Sequence, residues 1–394
     1  MREIKTLGNE IDTQHLGMVG GNFLRRKWHV DAGAFSVSKL SAAFRFAFEK
    51  WSMGKLSIQG RTLWTQETIR PLQVLELDRD AFEIAFETTE ATLGTDTMIV
   101  LVCPIDHAGF DVAFLCSHMV MDAAGLRFFL RDVAAFLMDR AKLSEPHANP
   151  VERWANLINT KMVTPQNAEA EEKIAALDRA LQDTSDQNAH PAFAPAFMQG
   201  SDDIGASENH HMRSFATTAK IDAFTLEAIC YNALADTCNV KRFNYLTYDA
   251  CRRPLAGEKA HVFAAAGIYI SVPILGADNA LPVTEIANQR REYHQENSDY
   301  LVTLVARNVL GADDAISRPP ALPYVIFNLR GRPIRTLATL DVIPASPSWC
   351  SYTCALNLSI WQDNGEVQIG MTCGAGTDPA LPEQFFSRVQ KVLE

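Results

Sequence analysis

Apolar positions fall into two rhythms along this chain. From Met98 to Val102 and from Val112 to Cys116 they run almost without interruption, and between the runs lies the turn-like Asp106-His107-Ala108-Gly109-Phe110-Asp111. Such runs around a turn predict a hairpin of buried strands. After Ser117 the rhythm changes. Leu126, Phe129, Leu130, Val133, Phe136 and Leu137 recur at spacings of three and four, which predicts a helix with one buried face. Upstream, Phe23 to Val30 reads as a strand. Ser36 to Met53 reads as a helix that buries Val37, Leu40, Phe44 and Phe48 and stops at Gly54. Strands are expected around Leu56 to Trp64 and Gln73 to Leu77.

The texture shifts between Thr164 and His211. A charged, alanine-rich helix from Ala168 to Leu181 leads into Asp183-Thr184-Ser185-Asp186-Gln187-Asn188 and Pro191-Ala192-Phe193-Ala194-Pro195. Polar and proline clusters of this kind mark a crossover. The expected organisation is a first α+β half over 1–165, a linker over 166–211 and a second α+β half over 212–394. A length of 394 residues is enough for two ordinary cores.

Composition narrows the function classes. Hydrophobic residues make up 47% and charged residues 21%, as in a globular protein. No apolar run approaches the roughly 20 residues that span a bilayer. The start, Met1-Arg2-Glu3-Ile4-Lys5, lacks the apolar core of a signal peptide, so the chain is expected to be cytoplasmic. A net charge of −11 argues against general nucleic-acid binding, which needs a concentrated positive surface. Local basic groups remain, at Arg252-Arg253 and at Arg330, Arg332 and Arg335. They are ion-paired or solvated arginines, or they meet phosphates. The cysteines at 103, 116, 230, 238, 251, 350, 354 and 373 show no paired zinc-ligand spacing. They are expected to be reduced and buried, and no metal is expected.

Where the hairpin gives way to the helix stands Cys116-Ser117-His118-Met119-Val120-Met121-Asp122-Ala123-Ala124-Gly125. A histidine and an aspartate four apart are a common pattern, satisfied by many core histidines. Their place at a rigid strand-to-helix junction gives the pair weight. His118 is the candidate base, because a neutral imidazole accepts a proton near neutrality and returns it. Asp122 is a candidate partner of the imidazole or a structural acid. Gly125 allows close approach at the start of the helix, or is an ordinary helix glycine. The adjacent pair His210-His211 sits in the crossover without a following aspartate and is set aside, as is His107 in its turn.

The order strand, turn, strand, S-H-M-V-M-D-A-A-G, helix resembles the HHxxxDG region of the condensation-domain and CoA-dependent acyltransferase superfamily, which includes chloramphenicol acetyltransferase. Further segments fall in matching order. Tyr248-Asp249-Ala250-Cys251-Arg252-Arg253-Pro254-Leu255 resembles the family's D-x-R-R-P-L element, and Gly267 to Pro273 its G-N-F-x-N-x-x-P strand. Tyr324 to Gly331 resembles the v-x-F-N-x-x-G strand. Leu356 to Ile360, the turn Asn364-Gly365-Glu366 and the stretch Pro382 to Leu393 resemble the terminal strand, hairpin and helix. Two departures stand out. Ser117 takes the place of the first motif histidine, and Ala123 that of the glycine after the aspartate. Only one helix fits between Ile221 and Thr247, where relatives often use two.

The resemblance implies two chloramphenicol-acetyltransferase-like halves in a V shape, with a channel between them. It implies an acyltransferase that condenses a thioester-bound acyl group with a hydroxyl or amine acceptor, forming an ester or amide in specialised metabolism of the nonribosomal-peptide or polyketide type. His118 is then the general base. Asp122 becomes structural, paired with Arg252, or with Arg253 if the register slips around Cys251. CoA or a phosphopantetheine-bearing carrier protein arrives as the thioester co-substrate, with no tightly bound cofactor. The alternative is a catalytically reduced relative that serves as a docking or binding protein, as the losses at Ser117 and Ala123 suggest.

Overall fold

A computed structural model describes residues 2–4, 23–59, 62–105, 108–117, 120, 123–139, 167–183, 209–218, 220–250, 269–310, 325–329, 342–343, 356–363, 365–373 and 377–394. The fold is mixed α+β. It opens with strand β1 (Arg2–Ile4) and β2 (Phe23–Asp31), followed by helix α1 (Val37–Lys50), whose first turn is capped by the Ser36 hydroxyl accepting from the Lys39 amide. A short 3₁₀ turn, Met53–Lys55, follows. Its Gly54 is needed there, since a Cβ would stand 2.3 Å from the Arg70 carbonyl oxygen. The stretch expected as one strand to Trp64 is two, β3 (Leu56–Gln59) and β4 (Thr62–Thr65), paired antiparallel. With β1 they make a three-stranded sheet in the order β1-β4-β3.

Strand β5 (Gln73–Glu76) leads through helices α2 (Arg79–Glu87) and α3 (Thr89–Leu93) to β6 (Met98–Ile105). Strand β6 then pairs antiparallel with β7 (Gly109–Ser117) over their whole length. This is the expected hairpin. Gly109 begins β7 at φ +121°, where a Cβ would collide with the Val30 carbonyl oxygen at 1.9 Å. Only glycine fits that close approach. Helix α4 (Ala123–Leu137) follows the hairpin.

The remaining elements are α5 (Ala168–Asp183), β8 (Asn209–Ala216), α6 (Ala223–Thr237), β9 (Tyr245–Ala250), β10 (Tyr269–Ile274), α7 (Val283–Leu310), β11 (Val325–Leu329), β12 (Val342–Ile343), β13 (Leu356–Asp363), β14 (Glu366–Cys373) and α8 (Leu381–Leu393). They build a six-stranded sheet in the order β10-β9-β11-β13-β14-β8. The exception is β12, which pairs with β2 and joins the five-stranded sheet β12-β2-β7-β6-β5.

The cores follow this division. Residues of α1, α4 and one face of β6 and β7 form one cluster, and Phe82, Phe86 and Leu93 pack on the other face with Ile99, Leu101, Ala113 and Leu115. The larger core lies between the six-stranded sheet and helices α5, α6, α7 and α8. Helix α5, placed in the linker by composition, sends Ile174, Leu177 and Leu181 into that core, and His210 and His211 lie on β8. The apolar residues of a crossover helix need cover as much as those of any other helix, and the nearest cover is the second core. The middle of the expected linker lies outside the described residues.

Candidate active site

The junction that carries the motif is fixed from both sides. Strand β7 is flanked by β2 and β6, and its apolar side chains alternate between the two clusters. At its end the Ser117 amide donates to the Thr97 carbonyl at 2.9 Å. Three residues on, the Val120 amide donates to the Ser117 carbonyl at 3.2 Å, closing a turn, and the Val120 side chain is buried in the core beneath α1 and α4. Helix α4 starts at Ala123 and buries Leu126, Phe129, Leu130, Val133, Ala134 and Leu137. Phe129 and Phe44 flank Phe114 of β7, at ring centroids 5.5 and 5.8 Å from it.

Helix α4 is also locked to α1 by polar contacts. Asp132 accepts from Lys50 Nζ and from Trp51 Nε1, both at 2.8 Å. A shared carboxylate with two donors is stronger than a lone surface pair. Ser117 thus ends a paired strand, and Ala123 begins an anchored helix. The amides of the first helical turn have no partner within the helix and carry its positive dipole end.

Of the residues expected at the site, Gly125 lies in the first turn of α4. His118, Asp122, Arg252 and Arg253 lie outside the described residues, as do Arg330, Arg332 and Arg335. The positions beside them are described: Ser117 and Val120 around His118, Ala123 after Asp122, and the end of β9 at Ala250, two residues before Arg252. Ser117 is 1% exposed, and strand alternation turns it away from Cys116, to the α2 side of the sheet. Its position therefore suits a packing role. All five described cysteines are free and buried, and burial pushes the Cys116 thiol far up. Among the described residues no group of His, Cys, Asp and Glu is placed to hold a metal, and no helix is long and apolar enough to cross a membrane.

Two polar assemblies were not singled out by the sequence. On β2 and β7, His29 Nδ1 contacts Asp111 Oδ1 at 2.8 Å, and Arg79 donates to Asp111 Oδ2 at 2.7 Å. The hydrogen bond to Asp111 raises the His29 pKa. Asp111 and Ser117 are six strand residues apart, about 20 Å, so this cluster is remote from the motif. Within the second core, Arg290 of α7 donates to Glu227 of α6 at 3.1 Å, and Tyr245 of β9 donates to the same carboxylate. Burial holds the Tyr245 phenol well above its ordinary pKa, so it remains a donor. The partners are 18 and 63 residues apart. No local signal announces such a network.

No protein-family model and no curated protein sequence matches the chain. Solved structures do. The EpoB cyclization-docking bidomain from Sorangium cellulosum matches with a TM-score of 0.69 at 13% identity, over 100% of this chain and 83% of that one. The starter condensation domain of rhizomide synthetase RzmA matches with a TM-score of 0.64 at 12% identity, over 100% and 96%. The X-domain of teicoplanin biosynthesis in its complex with OxyB matches with a TM-score of 0.65 at 13% identity, over 100% and 93%. The chain has the condensation-domain fold.

Proposed function

We propose, from that fold and the junction at Ser117 to Ala123, that this chain is an acyltransferase joining a thioester-bound acyl group to a hydroxyl or amine acceptor. Neutral His118 takes the acceptor's proton as its oxygen or nitrogen attacks the thioester carbon. The new C–O or C–N bond forms, the C–S bond breaks, and the proton passes from His118 to the departing thiolate. Backbone amides near Met121 to Ala123, at the start of α4, would favour the tetrahedral oxyanion. Asp122, paired with Arg252, holds the loop, and Gly125 keeps the helix start open. In this reading the halves 1–165 and 212–394, joined through 166–211, meet at a V-shaped channel entered from opposite faces by donor and acceptor. The donor is an acyl-CoA or an acyl-carrier protein, and condensation domains among the similar structures favour the latter.

The observation that carries the proposal is the rigid strand-end, turn and helix start at the motif, within a fold matched along the whole chain. The test is mass spectrometry of products after incubating wild type and His118→Ala with acyl-CoAs, acyl-carrier proteins, amines and alcohols. A transfer product that falls about 10²–10⁴-fold in a folded variant is the expected result. A product that persists undiminished in the variant removes His118 from the mechanism.

A second reading has its own observation. One similar structure is an X-domain held in a complex with OxyB, and Ser117 here fills a buried structural position. A docking protein of this fold would bind a carrier protein or enzyme equally well with and without His118, and would yield no product from any donor.

A further inference from the structure

Both ring nitrogens of His29 face acceptors. Nδ1 stands 2.8 Å from Asp111 Oδ1, and Nε2 stands 3.6 Å from Asp31 Oδ1. The backbone carbonyl of Ala108, just before β7, also accepts from the ring. A neutral imidazole has one N–H and satisfies one side; the imidazolium has two and satisfies both. The side chain is 32% exposed, so protons reach it from solvent.

The charges around the ring leave it this role. Asp111 gives its second oxygen to Arg79 of α2. Arg79 also reaches Glu83, whose other oxygen accepts from Lys27 of β2 at 2.6 Å. Cys103, opposite Asp111 on β6, stays a neutral thiol because burial raises its pKa. The carboxylates that address His29 are therefore Asp111 and Asp31.

The ring joins two connections of the chain. Asp31 ends β2 and opens the turn at 31–34, while Ala108 leads into β7. Outside the strand ladder they share a long backbone bond, from the Ala32 amide to the Ala108 carbonyl at 3.2 Å, and the Ala108 amide reaches the Ile105 carbonyl only at 3.3 Å. Bonds this long are weak, so a change at the ring is felt here. When the ring loses a proton, the N–H that remains stays with Asp111, the better buried carboxylate at 13% exposure. No second N–H is left for Ala108, and Nε2 turns a lone pair toward the Asp31 carboxylate.

We propose that His29 is a proton-operated clasp, closing the start of β7 onto the turn after β2 while the ring is charged and releasing it when the ring is neutral. The hydrogen bond to Asp111 raises the ring's pKa above 6.5. The clasp is therefore closed below about pH 6.5 and opens as pH rises through the folded value.

The test is made by NMR on the full chain between about pH 5.5 and pH 8.5. Ring ¹⁵N shifts report the protonation of His29, and amide exchange at Ala32 and Ala108, corrected for its intrinsic dependence on pH, reports the opening. Both nitrogens are expected to be protonated at the acid end, and both amides to exchange about fivefold faster once the ring is neutral. In His29→Gln the corrected exchange is fast and flat with pH. Asp111→Asn moves the midpoint of opening to lower pH. Asp31→Asn moves it less, since Asp31 is 78% exposed, and carries the comparison should Asp111→Asn not fold. The clasp is overturned if the ring titrates at or below pH 6.5, if the two amides ignore its charge, or if neither carboxylate variant moves the midpoint. A dependence on pH that survives in His29→Gln also overturns it and assigns the effect to another group, such as His107.

Discussion

The central strands of the five-stranded sheet, β6 and β7, are apolar on both faces, whereas β13 and β14 of the six-stranded sheet alternate between apolar side chains in the helical core and polar residues or glycine on the other face. In the first, neighbouring side chains of β6 and β7 enter two different cores, so every position in the strand centres is committed to packing. In the second, every other residue of β13 and β14 is free of the helical core. The contrast separates two jobs. A sheet filled on both sides makes a stiff mount, and it is the one that ends at the motif. A sheet whose far face keeps polar residues under cover, with Asn357 6% and Thr372 4% exposed, carries groups whose hydrogen bonding decides what they cost.

The sharpest way to break this contrast is the same exchange made in opposite directions. Leu115 of β7 is fully buried against the α2 side of its sheet. Leu115→Asn leaves a cavity and strands a buried amide, and is expected to cost about 5 kcal/mol. Asn357→Leu on the other sheet is expected to cost nothing. Urea denaturation of both variants reads this directly. Equal losses would mean that both faces of the second sheet are packed as tightly as those of the first.

The polar layer buried in the second core offers the next test. Glu227 and Arg290 are both nearly inaccessible, with side chains 3% and 5% exposed. Removing one partner leaves the other charge buried, so Glu227→Ala is expected to destabilise by about 3–5 kcal/mol. Replacing both with residues of similar volume, as in Glu227→Gln with Arg290→Met, recovers most of the loss. A double variant as unstable as the single one would show that the layer acts through shape and not through charge.

Much of this contrast was already legible in the chain. Met-Ile-Val-Leu-Val and Val-Ala-Phe-Leu-Cys are unbroken apolar runs, whereas Leu-Asn-Leu-Ser-Ile and Val-Gln-Ile-Gly-Met-Thr alternate. Strands buried on two faces and on one face differ in just this way. The hairpin and the helix after it are where the periodicity put them, and the closing helix is where the family resemblance implied it. Three features were missed. The break between β3 and β4 coincides with Gly60, a turn residue in the sequence at which the apolar alternation stops. The joining of β12 to β2 depends on a pairing between residues more than 300 positions apart. The Glu227–Arg290–Tyr245 layer places charge on helix positions that periodicity alone assigns to the core. For the site, the strand end and the helix start were legible in the sequence, while the role of His118 rests on its chemistry and the pairing of Asp122 with Arg252 on the family resemblance.

A smaller effect probes how the first sheet is pinned to α2. Asp78 caps that helix, its carboxylate accepting from the Ala81 amide at 2.8 Å. Asp78→Ala is expected to cost about 1 kcal/mol, read as a modest fall in melting temperature. A cost near zero would mean that Phe82 and Phe86 alone seat the helix.

The smallest effect is a dependence on pH at the far end of the same sheet. His29 faces Asp111 on β7, Asp31 on its own strand, and Arg79 and Glu83 on α2, which share the cluster. Its pKa is raised above 6.5, first by the hydrogen bond to Asp111. A raised pKa means that the folded state holds the proton more tightly than the unfolded chain does. The stabilisation is therefore complete below about pH 6.5 and is lost as pH rises through the higher folded value. The melting-temperature gap between wild type and His29→Gln should be widest near pH 5.5 and narrow steadily toward pH 8.5. Added salt should shrink it, since the group is partly open to solvent. A gap that widens with pH would mean that His29 is held in its neutral form, and the pairing with Asp111 would then orient the ring without stabilising its charge.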